Sequence, residues 1–128
     1  VIITGRNLAT LELVQKEGKN IKCFELDMEV PEYVEEWCER NTGKIGILDI
    51  LIHNAGLSMR DMFLNTQMKL GERLLNVDFL SIFAMTKGLM QNMRTDGPGS
   101  VICGIGSLSG VHGAGVRSMY AAVKGAMD

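Results

Sequence analysis

Short β-branched runs alternate with stretches of helical periodicity along the chain. "VIITG" (residues 1–5) predicts a strand, and Asn7 offers an N-cap to a helix that runs through Lys16 and closes at Gly18. "NIKCFELD" predicts a second strand ending at Asp27. Pro31 suits a first helical position, and "EYVEEWCER" continues as an amphipathic helix to Asn41. "ILDILIHN" is apolar enough for a strand buried on both faces. A long helical pattern follows from Asn65 to Met93, with Leu70, Leu74, Val77, Leu80, Phe83, Met85, Leu89 and Met90 as core positions. "TDGPGS" predicts a loop, "SVICGIGS" a fourth strand, and the glycine-rich "SGVHGAGV" a second loop, after which Ser118 caps a last helix. Alternation of this kind predicts βα units around a parallel sheet.

Composition narrows the class. The chain has 128 residues, the size of one domain or part of one, with 46% hydrophobic residues and a formal charge of −2. Its basic residues are scattered, which argues against a nucleic-acid partner. Apolar runs such as "IFAM" are too short to cross a bilayer. Cys23, Cys38 and Cys103 are odd in number and widely spread, which predicts reduced thiols in a cytoplasmic or cytosol-facing protein. The chain does not open on Met, which leaves room for an upstream targeting or anchor segment. His53 and His112 have no metal-like spacing to each other or to the cysteines, and no metal is assigned.

The chemistry concentrates in "MYAAVKG". Tyr120 and Lys124 are four apart, so a helix places both on one face. A Tyr–Lys pair at this spacing is commonplace alone; its context is not. Ser107 closes a strand thirteen residues before Tyr120, across the glycine-rich loop. Farther back, "LDILIHNAG" ends a strand in Asn54, Ala55 and Gly56, small residues that permit close approach of a ligand. In this order, strand-HNAG, strand-Ser and YxxxK resemble the short-chain dehydrogenase/reductase family, and the similarity runs the length of the chain. The segment "GLSMRDMFLNT" is similar to the branch of dehydrogenase/reductase family member 7.

The resemblance implies a Rossmann-like, doubly wound α/β fold and hydride transfer between a nicotinamide cofactor and a carbonyl or alcohol. A free phenol, with a pKa near ~10, is a poor base at neutral pH, and a lysine ammonium one helical turn away favours its ionised form. The implied roles are acid/base for Tyr120, support of Tyr120 and of the nicotinamide ribose for Lys124, and a hydrogen bond to the substrate oxygen for Ser107. Ser109 competes for the last role, and spacing to Tyr120 selects Ser107. The family's fourth catalytic member, an asparagine, aligns with Asp78 when counted from Asn54, although Asn76 lies near it. An aspartate there keeps the shape and adds a charge, so the alternative is a catalytically silent homologue acting as a binding or regulatory subunit. Family members commonly pair, which implies a homodimer or homotetramer.

The opening strand lacks the family's TGxxxGxG phosphate loop: after Gly5 come Arg6, Asn7 and Leu8. The resemblance matches Asp27, with Met28 beside it, to the acidic residue that closes the family's third strand near the adenine. Twenty-two residues separate Gly5 from Asp27, room for one helix and one strand, so "VIITGRN" resembles the second strand. The chain is then expected to hold the second to fifth strands and the start of the tyrosine-bearing helix, an internal part of a dinucleotide-binding domain. Together with Asp27, Met28, Asn54, Ala55 and Gly56, Arg6 would contact the cofactor. An arginine at the end of this strand accommodates a 2′-phosphate, so NADP(H) is expected over NAD(H).

Overall fold

The computed structural model describes residues 1–127. Strand β1 (Ile2–Gly5) leads into α1 (Leu8–Lys16), β2 (Lys22–Glu25), α2 (Pro31–Ile45) and β3 (Ile50–His53). A helical path then runs through α3 (Met68–Leu75), a π turn (Asn76–Leu80) and α4 (Ser81–Leu89) before β4 (Val101–Gly104). Two shorter helices, α5 (Leu108–His112) and α6 (Ser118–Gly125), complete it. Asn7 caps α1 as expected, its Oδ1 accepting from Thr10 N–H at 3.0 Å.

Helix α2 continues past Asn41 to Ile45. Asn41 reads as a stop but is buried, its amide donating to the Trp37 carbonyl at 2.8 Å inside the helix. The true end is Gly46, at φ 71°, where glycine takes the left-handed conformation without a Cβ penalty. The long pattern from Asn65 to Met93 is not one uniform helix either. Its π turn inserts an extra residue into the helical ladder, so consecutive Val77 and Asp78 are both buried. Met85 and Leu89 are buried as expected, whereas Leu80, Phe83 and Met90 face outward rather than into the core.

The strands form two parallel pairs, β1 with β2 and β3 with β4. No ladder joins β1 to β3; a cleft of about 800 Å³ lies between them, lined by Ile2, Thr4, Ile50, Ile52 and Asn54 among others. This is where the family resemblance reserves its first strand. No described helix is long and apolar enough to cross a membrane.

The main core lies where α2 packs on α4, with Leu26, Val34, Trp37, Cys38, Leu51, Met85 and Leu89 buried together. Trp37 meets Phe24 edge to face, ring centres 5.5 Å apart. Burial, with Glu35 and Glu39 nearby, pushes the Cys38 thiol up to about 11, so it packs as a small hydrophobe. A Cβ at Gly88 would stand 2.6 Å from Cys38 Cβ, so glycine sets how closely the two helices approach. We expect Gly88→Ala to cost about 1–3 kcal/mol by overpacking, read from urea unfolding of the complete protein.

His53, buried at the end of β3, contacts Thr86 Oγ1 through Nε2 at 2.7 Å. The Thr86 hydroxyl donates to the Ile82 carbonyl at 2.8 Å, so its oxygen accepts and His53 Nε2 carries the proton. Desolvation holds the imidazole below its ordinary value of 6.5. The unfolded chain therefore gains the proton first on acidification, and stability falls from about pH 6.5 down to the folded value, then levels. Unfolding midpoints of the complete protein between pH 8 and 5 should show this decline, and His53→Gln should flatten it.

Candidate active site

Tyr120 and Lys124 lie on one side of α6, and the lysine points inward. Its side chain is 6% exposed, and Nζ donates to the Ile105 carbonyl, just beyond β4, at 3.0 Å. Nζ also stands 3.0 Å from Oδ1 of Asp78, whose side chain is fully buried in the π turn. This is a charge contact outside directional hydrogen-bond geometry. The other carboxylate oxygen accepts from Leu57 N–H at 2.9 Å, which fixes the turn after β3. A Cβ at Gly56 would meet Asp78 Oδ1 at 2.7 Å and Lys124 Nζ at 3.4 Å, so only glycine fits above the pair. Sequence register alone picks out Asp78 but does not reveal its direct pairing with Lys124.

Ser107 is the N-cap of α5, its Oγ accepting from Ser109 N–H at 3.2 Å. Helix α5 replaces part of the loop expected over residues 109–116. Gly110 looks like a loop residue, yet a Cβ there would sit 2.8 Å from Gly125 N, so it is the contact that seats α5 on α6. Ser118 does not cap α6: Arg117 holds that position, with its guanidinium carbon 5.7 Å from the centre of the Tyr120 ring. The Tyr120 ring packs beside buried Met59, Leu74 and Val123. Among the described residues, no hydrogen bond joins the Tyr120 hydroxyl to Ser107 or Lys124. The two packed helices carry all three residues.

At the C-terminal ends of β1 and β2, a pocket of about 210 Å³ is lined by Arg6, Asp27, Met28, Ala55 and Gly56, together with Thr4, Gly5, Leu26, Leu57 and Val77. Five of the six residues expected to contact a cofactor ahead of α6 converge here. The sixth, Asn54, lines the neighbouring cleft. Cationic Arg6, carboxylate Asp27 and the side-chain-free surface of Gly56 suit the adenosine end of a nicotinamide dinucleotide. Sequence reasoning missed Glu29, which accepts from Arg6 Nη1 at 2.7 Å and from Arg73 at 2.9 and 2.5 Å. These two guanidiniums, Arg73 foremost, hold the Glu29 carboxyl below its ordinary value.

A family model described as short chain dehydrogenase matches residues 1–128. The "Dehydrogenase/reductase SDR family protein 7-like" of Drosophila melanogaster is 29% identical over 136 residues, covering 100% of this chain and 41% of that protein. "Carbonyl reductase [NADPH] 2" of Sus scrofa is 32% identical over 93 residues, 72% of this chain and 38% of that protein. A short-chain dehydrogenase of known structure from Streptomyces avermitilis superposes with a TM-score of 0.88 at 23% identity, over 99% of this chain and 47% of that one. The chain thus spans about two fifths of the length of its curated relatives.

We expect Asp78→Ala to strand a buried ammonium and cost about 3–5 kcal/mol, with Asp78→Asn losing less because its one amide oxygen still accepts from Leu57 N–H. Denaturant unfolding of the complete variant proteins measures both.

Proposed function

Because this chain belongs to the short-chain dehydrogenase/reductase family, an oxidoreductase family of Rossmann-like fold, we propose that the complete protein is an NADP(H)-dependent reductase of carbonyls or dehydrogenase of secondary alcohols. The observation that carries this reading is Lys124, buried one turn beyond Tyr120 and anchored on the Ile105 carbonyl at the exit of β4. In doubly wound sheets, ligands bind beyond the C-terminal ends of the strands, where this lysine sits.

The cofactor, when bound, supplies or takes up the hydride. Arg6 would hold the 2′-phosphate, Asp27 and Met28 would flank the adenine, and Asn54, Ala55 and Gly56 would let the dinucleotide lie close to the backbone. Lys124 keeps its bond to Ile105 and its charge contact with Asp78. Its remaining contact, with Met127 Sδ at 3.9 Å, is weak, and this lysine would hold a ribose hydroxyl of the cofactor. Tyr120 moves a proton to or from the substrate oxygen. Ser107 donates a hydrogen bond to that oxygen and steadies the charge developing on it. Asp78 acts by holding Lys124. The pig relative, by its name an NADPH enzyme, supports this cofactor and substrate class. Outward-facing Leu75, Leu80 and Phe83 along α3 and α4 suit pairing into the homodimer or homotetramer implied by the family.

A second reading has one observation in its favour: Asp78 offsets the charge of Lys124. A lysine so neutralised would suit a silent homologue that binds cofactor without turnover.

The two readings separate in one experiment. In the complete protein, Tyr120→Phe should lower kcat on a responsive carbonyl by about 10²–10⁴-fold while NADPH affinity is retained. Undiminished turnover removes Tyr120 from the chemistry. A wild-type protein that binds NADPH yet reduces nothing across a carbonyl panel favours the silent homologue.

A further inference from the structure

Glu29 lies two residues beyond Asp27, past the end of β2, and nearly every polar group it has is occupied. Its N–H donates to Asp27 Oδ1 at 2.9 Å, and its carbonyl accepts from Asn76 Nδ2 at 3.0 Å. Its carboxylate is gripped by the fork of Arg73, at 2.9 and 2.5 Å. The same Oε1 that takes Arg73 Nη2 also takes Arg6 Nη1, at 2.7 Å. Arg73 reaches it from α3 and Arg6 from the end of β1, so two separate elements hold the acid. Arg6, 53% exposed against 42% for Arg73, is the more exposed partner.

The balance of charge around Arg6 follows from this geometry. Two guanidiniums, Arg6 and Arg73, face two carboxylates, Glu29 and Asp27, and the four cancel. A phosphate arriving at Arg6 therefore meets a cation already bonded to an acid that Arg73 keeps from moving away.

We propose that Glu29 sets the cofactor preference of this protein: it competes with the 2′-phosphate for Arg6 and limits discrimination between phosphorylated and unphosphorylated nicotinamide dinucleotides. This deepens, and rests on, the assignment of Arg6 to the 2′-phosphate. Arg73 is the positioning residue that keeps Glu29 in place. The consequence is a narrower preference for NADP(H) than an unopposed arginine would give. Glutamine at position 29 keeps the length and the hydrogen-bonding oxygen but removes the charge.

The test is titration of the complete protein with NADPH and with NADH, two ligands that differ only in the 2′-phosphate, followed by nicotinamide fluorescence. Glu29→Gln should tighten NADPH binding about tenfold, the scale of one solvent-screened charge acting on a phosphate a few ångströms away. NADH binding should stay within about threefold of wild type, because the unphosphorylated ribose carries no charge there. A fold-stabilising role alone would move both affinities together. An unchanged NADPH/NADH ratio, or weaker NADPH binding, overturns the proposal. If Glu29→Gln does not fold, Glu29→Thr removes the same charge and carries the same expectation. Arg6→Gln separates the two levels. If it weakens NADPH while Glu29→Gln leaves the ratio at the wild-type value, only the role of Glu29 falls. If Arg6→Gln leaves NADPH affinity intact, the 2′-phosphate assignment falls and the proposal with it.

Discussion

The buried pair of Asp78 and Lys124 is the constraint on which the candidate active site depends. Four parts of the chain meet at it: the π turn that supplies the carboxylate, the Gly56–Leu57 turn that bonds its second oxygen, the Ile105 carbonyl beyond β4, and α6 itself. Two opposite charges inside a protein repay their desolvation only through close geometry and further hydrogen bonds. Here one backbone group serves each member of the pair, while Asp78 Oδ1 faces only the ammonium, so the exits of β3 and β4 are tied to the helix that carries Tyr120. Gly56 and the Gly110–Gly125 contact follow from the same demand, since each removes a Cβ where two backbones or a charge must come close.

The cofactor side is organised on a different principle. Its charges are partly exposed, and solvent screens them, so they contribute little to stability. On the proposed reading their use is selection. Glu29 draws Arg73 into one cluster with Arg6, which lines the small pocket, and the cluster's balance rather than any single arginine would meet an incoming phosphate. A buried pair on one side and a partly exposed cluster on the other would then divide the work between holding geometry and sorting ligands.

Much of this was legible in residue order. The β-branched runs became strands, Pro31 began α2, and the spacing of Tyr120 and Lys124 put them on one helical face. What stayed hidden depends on partners far apart in sequence. Glu29 and Arg73 are 44 residues apart, and nothing local marks either for the other. Helix α5 was lost because Gly110 signals a loop, whereas its glycine serves a crossing with α6. Asn41 likewise signals a helix end until its amide is seen bonded to Trp37 one turn back. Apolar character alone put Leu80, Phe83 and Met90 in the core, and regular periodicity does not register the one residue that the π turn inserts.

That inserted residue also bears on how this stretch of chain can change over time. The π turn sets the rotation of α4 relative to α3, and one residue of helix corresponds to about 100° of turn. Losing a single residue between 76 and 80 would swing α4 around its own axis. Gly88 would leave Cys38, and Ser81, whose hydroxyl donates to the Met28 carbonyl at 2.7 Å, would leave that pocket-lining residue. Substitutions here act one contact at a time, whereas a change in length acts on the whole helix at once. A change of length in this segment therefore disturbs more contacts than any single replacement does.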